Sequence, residues 1–132
     1  MGVPKTTGVH HLRLTVSDLE RSIRFYSEVV GFDLKARFGE NAAFLHDGTL
    51  GLGLCTQWRE TSPGERTFDE ARVGLDHLGL RVTTAEDVKR AAEHLDAHGV
   101  EHGEIKPASA PGSLVLTFRD PDNIQLEYFY LP

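Results

Sequence analysis

Apolar and polar residues alternate strictly along His11-Leu12-Arg13-Leu14-Thr15-Val16 and again along His77-Leu78-Gly79-Leu80-Arg81-Val82. A period of two is the mark of a strand with one buried face. The two segments share the leading histidine, both leucines and the closing valine, so the chain is read as a duplication. Each strand runs into a helix signal. After the first, Ser17 or Asp18 supplies a cap and Leu19, Ile23, Tyr26 and Val30 follow at helical spacing, with Gly31 as the stop. After the second, Thr83 or Thr84 caps a run of Val88, Ala91, Ala92 and Leu95 that ends at Gly99, and Glu86 and Asp87 favour the positive end of the helix dipole.

Three short strand candidates follow each helix, roughly 32–38, 41–46 and 49–56 in the first half and 100–106, 113–119 and 124–130 in the second. The expected fold is therefore α+β, two βαβββ modules forming a curved mixed sheet around a trough. Residues 1–132 are expected to make one domain: module one at about 8–58, a connector at about 59–73 and module two at about 74–132. The connector is polar, aperiodic and carries Pro63 and Gly64, which suits a linker or a flap. One βαβββ unit is too small a core to be set apart as a domain by itself.

Side chains in a strand alternate between faces. Leu12, Leu14 and Val16 require burial under the helix, which sends His11, Arg13 and Thr15 to the other face. The same parity sends His77, Gly79 and Arg81 away from the second helix, and Gln125, Glu127 and Phe129 away from Leu126. His11, His77 and Glu127 thus share the kind of face that would line a trough. Two imidazoles and a carboxylate suit a divalent ion with open coordination positions, as in non-haem iron or zinc sites. The plain alternative for each histidine is a polar strand end, and for Glu127 an ion pair with Arg13 or Arg81.

Composition narrows the partners. A net charge of −6 argues against nucleic acid, whose phosphates call for a basic face. The single cysteine, Cys55, cannot form an internal disulfide, and no segment reads as a signal peptide or a membrane span, so the expected location is cytoplasmic.

The run Val9-His10-His11-Leu12-Arg13-Leu14-Thr15-Val16-Ser17-Asp18 and its continuation to Tyr26 resembles the opening of vicinal oxygen chelate proteins. Asp76-His77-Leu78-Gly79-Leu80-Arg81-Val82 resembles their second repeat, and Phe118-Arg119-Asp120-Pro121-Asp122-Asn123-Ile124-Gln125-Leu126-Glu127-Tyr128-Phe129 their closing turn and ligand strand. Asn123 stands where glycine is usual, and asparagine is the best substitute in a left-handed position. The superfamily includes glyoxalases, extradiol dioxygenases, fosfomycin-inactivating enzymes, methylmalonyl-CoA epimerases and bleomycin-binding resistance proteins.

The resemblance implies metal ligation by His11, His77 and Glu127, with iron, manganese, zinc, nickel or cobalt as the ion. Glu127 is also expected to take part in catalysis. A fourth ligand used by many relatives falls here on Gly53, flanked on its face by Gly51 and Cys55, which argues against four-ligand glyoxalase chemistry. Arg13 and Arg81 are candidates for binding an anionic group, Trp58 for stacking on substrate, and Gly51 and Gly53 for leaving space. His46, Tyr128 and Tyr130 are weaker acid–base candidates, the tyrosines being placed by parity on the helix side. The implied activity is electrophilic catalysis, of dioxygenase or lyase/isomerase type, on a small oxygenated molecule chelated by the metal. The alternative is a metal-free protein that sequesters a drug or similar small molecule. A homodimer is implied as well.

Overall fold

In the computed structural model, which describes residues 2–132, the chain forms two compact units, one ending at Arg59 and the other spanning Glu60–Pro132. The first contains β1 (His11–Val16), α1 (Leu19–Arg24), β2 (Asp33–Phe38), β3 (Ala42–His46) and β4 (Gly51–Thr56). The second contains β5 (Leu78–Val82), α2 (Ala85–Ala97), β6 (Lys106–Pro107), β7 (Leu114–Arg119) and β8 (Gln125–Tyr130). The strand orders are β1-β4-β3-β2 and β5-β8-β7-β6, so each βαβββ module builds its own four-stranded mixed sheet. In each, the first strand pairs in parallel with the last and the other pairings are antiparallel. The class is α+β, as the hydrophobic pattern predicts.

Each sheet buries one face under its helix. Leu14 and Val16 of β1, Leu45 of β3 and Leu52 and Leu54 of β4 are buried, and so are Leu19, Ile23 and Tyr26 from the helix side. Val88 and Leu95 of α2 are buried in the second unit, as are Leu116, Phe118 and Leu126. Each such side chain contributes roughly 1.5–3 kcal/mol relative to exposure, so this one-sided burial fixes the strand register. Tyr128 stacks on Phe118 with ring centroids 5.0 Å apart, and burial pushes its hydroxyl pKa up.

The helix ends follow local chemistry. Asp18 caps α1 by accepting from the Arg21 amide at 3.0 Å, and Thr84 and Asp87 form a reciprocal capping box on α2. Gly31 and Gly99 take positive φ just past the helices, and Asn123 does so in the β7–β8 turn.

Three features depart from the sequence expectation. The first helix passes from α1 into a π-helical turn at Phe25–Val29, which buries Phe25 and Tyr26 together and leaves Val30 only half-buried. The strand expected at 100–106 shrinks to the two residues of β6. Pro107 has no N–H for the ladder, and the Gly103 amide bonds Thr117 O at 2.8 Å outside regular pairing. The connector folds back onto its own unit: the Phe68 amide bonds Asp122 O at 2.9 Å, and Asn123 Nδ2 donates to Phe68 O at 3.0 Å.

Candidate metal centre

β8 lies beside β5 in parallel, with Leu126 opposite Leu78 and Glu127 opposite Gly79. Parity then brings the side chain of His77, at the foot of β5, next to that of Glu127, and His77 Nε2 stands 3.3 Å from Glu127 Oε1. The neighbour that makes this possible is Gly79. A Cβ there would meet Glu127 Oε1 at 3.2 Å and Cγ at 3.5 Å, so the absent side chain supplies the space that the carboxylate uses.

Neither arginine suggested as a plain partner takes Glu127. Arg13 Nε donates to Cys55 Sγ at 3.1 Å, and Arg81 Nη2 donates to Leu131 O at 3.4 Å. Glu127 keeps 18% of its side chain exposed, and the ion pair found for it is with His77.

The other edge of the His77 ring faces Asp76, with Nδ1 2.7 Å from Oδ1. A carboxylate only accepts, so Nδ1 carries the hydrogen and Nε2 is the nitrogen directed at Glu127. The bond to Asp76 holds the His77 pKa above the usual histidine range, with the Glu127 charge adding to it and partial burial opposing it. An imidazole between two carboxylates calls for positive charge at Nε2, supplied by a proton or by a metal cation in its place. The distance also fits. Two ligand atoms about 2.1 Å from one ion, at octahedral to tetrahedral angles, stand about 3.0–3.4 Å apart.

In the first unit, His11 opens β1 opposite Gly51. Its Nδ1 lies 2.9 Å from Nδ1 of His10, one ring donating and the other accepting; with His11 as the donor, its Nε2 carries the lone pair and is the candidate ligating atom. Within neither unit do the described residues bring together three or more His, Cys, Asp or Glu side chains able to hold a metal. The second unit thus brings two of the candidate ligands, His77 and Glu127, together, and the first unit carries the third candidate, His11.

A recess of about 260 Å³ opens beside His11, lined by His10, Arg13, Phe38, Phe44 and Gly53 among others. Its wall is mostly apolar, with imidazole and guanidinium groups on one side. Gly51 does not add to this space: a Cβ there would come within 2.6 Å of Phe44 Cζ, so the Phe44 ring already fills it. Cys55 is buried and its thiol is engaged with Arg13 and Leu14 O. Trp58 is 85% exposed, with the Arg59 guanidinium 5.9 Å from its ring centre, and it does not line the recess. His46 accepts from the Gly48 amide and shapes the β3–β4 turn. The residues that sequence reasoning passed over are His10, Phe38 and Phe44 around the recess and Asp76 behind His77. The position of Asp76 immediately before a candidate ligand is the sequence signal that singles it out.

The sequence profile of the Glyoxalase/Bleomycin resistance protein/Dioxygenase superfamily matches residues 8–128. The chain is 38% identical over 155 aligned residues to a 2-epi-5-epi-valiolone epimerase of an Actinomyces species, covering 99% of this chain and 83% of that one. It is 30% identical over 121 residues to a manganese-dependent 2,3-dihydroxybiphenyl 1,2-dioxygenase of Geobacillus genomosp. 3, covering 91% of this chain but only 35% of the dioxygenase. The crystal structure of a glyoxylase/bleomycin resistance protein/dioxygenase domain from Frankia sp. EAN1pec superposes with a TM-score of 0.80 at 32% identity, covering 97% of this chain and all of that one. Two βαβββ modules, a profile match across nearly the whole chain and a matching solved structure agree: the chain belongs to the glyoxalase/bleomycin resistance protein/dioxygenase superfamily.

Proposed function

We propose that this protein is a divalent-metal-dependent enzyme acting on a small oxygenated molecule, with His77, Glu127 and His11 as the metal ligands. The observation that carries this reading is the pairing of His77 Nε2 with Glu127 Oε1 at 3.3 Å, with Nδ1 tied to Asp76. A metal held there would act as a Lewis acid on oxygen atoms of the substrate. The remaining work falls to the chain. Asp76 orients the imidazole. Glu127, in a half-buried position beside His77, would serve as a ligand and is a candidate proton acceptor. Arg13, beside His11 in the recess, offers a guanidinium for an anionic or enolic oxygen, and Phe38 and Phe44 provide apolar surface for the body of the substrate. Arg81, on the same face of β5 as Gly79, is a second candidate anion-binding group, and Trp58 a candidate stacking surface. The likeness to a manganese-dependent dioxygenase and to an epimerase supports metal-assisted chemistry of either oxygenase or isomerase type.

Metal analysis of protein purified without chelator tests this reading. About one equivalent of a transition metal, or its uptake on addition, is expected for the wild type and not for Glu127→Ala. Failure of the wild type to retain or take up any such ion rejects it. The mostly apolar recess also suits a second reading, a metal-free binder of small molecules. Under that reading, Glu127→Ala leaves ligand affinity intact.

A further inference from the structure

We propose that Asp76, Gln125, Arg119 and Glu70 form a hydrogen-bonded relay that fixes the ring of His77 and makes metal retention depend on a carboxylate in the connector. The inference rests on the proposed role of His77 as a ligand. The relay is continuous. Glu70 receives both arms of the Arg119 guanidinium, Nη1 at 2.9 Å and Nη2 at 2.6 Å. Arg119 Nη2 also donates to Gln125 Oε1 at 3.3 Å. Gln125 Nε2 donates to Asp76 Oδ1 at 3.0 Å, and the same oxygen accepts from His77 Nδ1 at 2.7 Å.

The polarity is consistent throughout. A guanidinium can only donate and a carboxylate can only accept, so the Gln125 amide between them has one workable orientation. That in turn fixes Asp76 as an acceptor and His77 as an Nδ1–H donor. Backbone geometry supports each link. Arg119 and Gln125 are cross-strand partners on β7 and β8, Gln125 precedes the Leu126–Leu78 pair that sets His77 beside it, and the connector is pinned to the intervening turn through Phe68.

Among the described residues the first module has no counterpart. At the repeat positions of Asp76 and Gln125 stand His10 and Gly51, and the partner found against His11 Nδ1 is the neighbouring imidazole. The relay is thus particular to the module that also carries the carboxylate ligand. Partners behind a metal-bound histidine set its ring orientation and basicity, and their removal typically weakens metal binding about 10–100-fold. Asp76, Gln125, Arg119 and Glu70 are positioning residues on this account, since none is proposed to touch the substrate.

Two measurements on the intact protein test the relay. Zn²⁺ affinity by chelator competition should fall about 10–100-fold in Asp76→Ala and less in Gln125→Leu and Glu70→Gln. The double variant Asp76→Ala/Glu70→Gln should be no worse than Asp76→Ala alone, because removing the near link disconnects the far one. Glu20→Gln, which breaks the comparable surface pair with Arg37 in the first module, should leave the affinity unchanged. In metal-free protein at about pH 9, where an imidazole is neutral, the ¹⁵N spectrum should show His77 as the Nδ1–H tautomer in the wild type and a shifted Nδ1 signal in Gln125→Leu and Glu70→Gln. Fully additive affinity losses, or a His77 signal unmoved by Gln125→Leu and Glu70→Gln, overturn the relay. A wild type that binds no Zn²⁺ rejects the metal reading alone, and the relay then stands or falls on the imidazole signals.

Discussion

Gly79 lies directly opposite Glu127 in the parallel β5–β8 pair, and a methyl group on its Cα would stand 3.2 Å from the carboxylate oxygen that faces His77. The first module reverses the arrangement. Arg13 lies opposite Gly53, and a Cβ on Gly53 would meet Arg13 Cγ at 3.3 Å. Each module pairs one long polar side chain with one glycine at this level of the sheet, on opposite strands of the parallel pair. A carboxylate therefore enters the second module's face from the last strand, while a guanidinium enters the first module's face from the first strand.

Gly79→Ala should fold normally, because strand backbone accepts alanine and its unfolded chain has less entropy to lose, an effect of about 0.4–1 kcal/mol in favour of folding. The methyl should nonetheless displace the Glu127 carboxylate by a few tenths of an ångström. Metal affinity is expected to drop on the order of tenfold, in line with other losses of ligand positioning. Thermal unfolding alongside metal titration checks both halves. Unchanged affinity would show that the glycine is not needed for ligand placement.

Gly51→Ala tests the recess. The new Cβ would fall 2.6 Å from Phe44 Cζ and 3.1 Å from His10 O, so the ring must leave its place over the strand. Overpacking of this kind costs about 1–3 kcal/mol. The variant should lose stability in urea with the slope unchanged, and the Phe44 ring signals should move. A fully stable variant with an unmoved ring would contradict the packing described here.

Acid should act on the connector through Glu70. Its hydrogen bonds with Arg119 hold its carboxyl at about 2, against about 4.3 for an unperturbed glutamate. The unfolded chain therefore takes up this proton first as pH falls. The stabilisation is complete above the unfolded value and is lost as the pH falls towards about 2. The stability difference between wild type and Glu70→Gln should be flat near neutrality and shrink through that acid range. A difference independent of pH would show that the pair adds nothing to folding, as many exposed ion pairs do not.

Much of this was legible in the chain because it depends on local pattern. The repeated alternation at His11 and His77 gave both first strands and the faces they turn inward, buried at Leu14 and Val16 but only half-buried at Leu78, Leu80 and Val82. Asp18, Thr84, Gly31, Gly99 and Asn123 announced the caps and the turn through their own backbone preferences. Parity turned His77 and Glu127 away from the helix side, and the parallel β5–β8 pairing, which no pattern in the chain marks, brought them side by side.

What could not be read depended on contacts between residues distant in sequence. The Glu70–Arg119 pair spans a separation of 49 residues, and no periodicity marks it. The Phe44 ring over Gly51 is a cross-strand neighbour whose rotamer decides whether the glycine leaves a space or fills a need. The π-helical turn at Phe25–Val29 satisfies the burial of Phe25 and Tyr26 together, a tertiary demand that regular helical spacing does not encode.

Anomalous diffraction from crystals grown with Mn²⁺ or Zn²⁺ addresses the metal ligands themselves. The account predicts a peak within about 2.0–2.2 Å of both His77 Nε2 and Glu127 Oε1, with His77 Nδ1 still on Asp76. A metal-loaded crystal with no density bridging that imidazole and that carboxylate would contradict it.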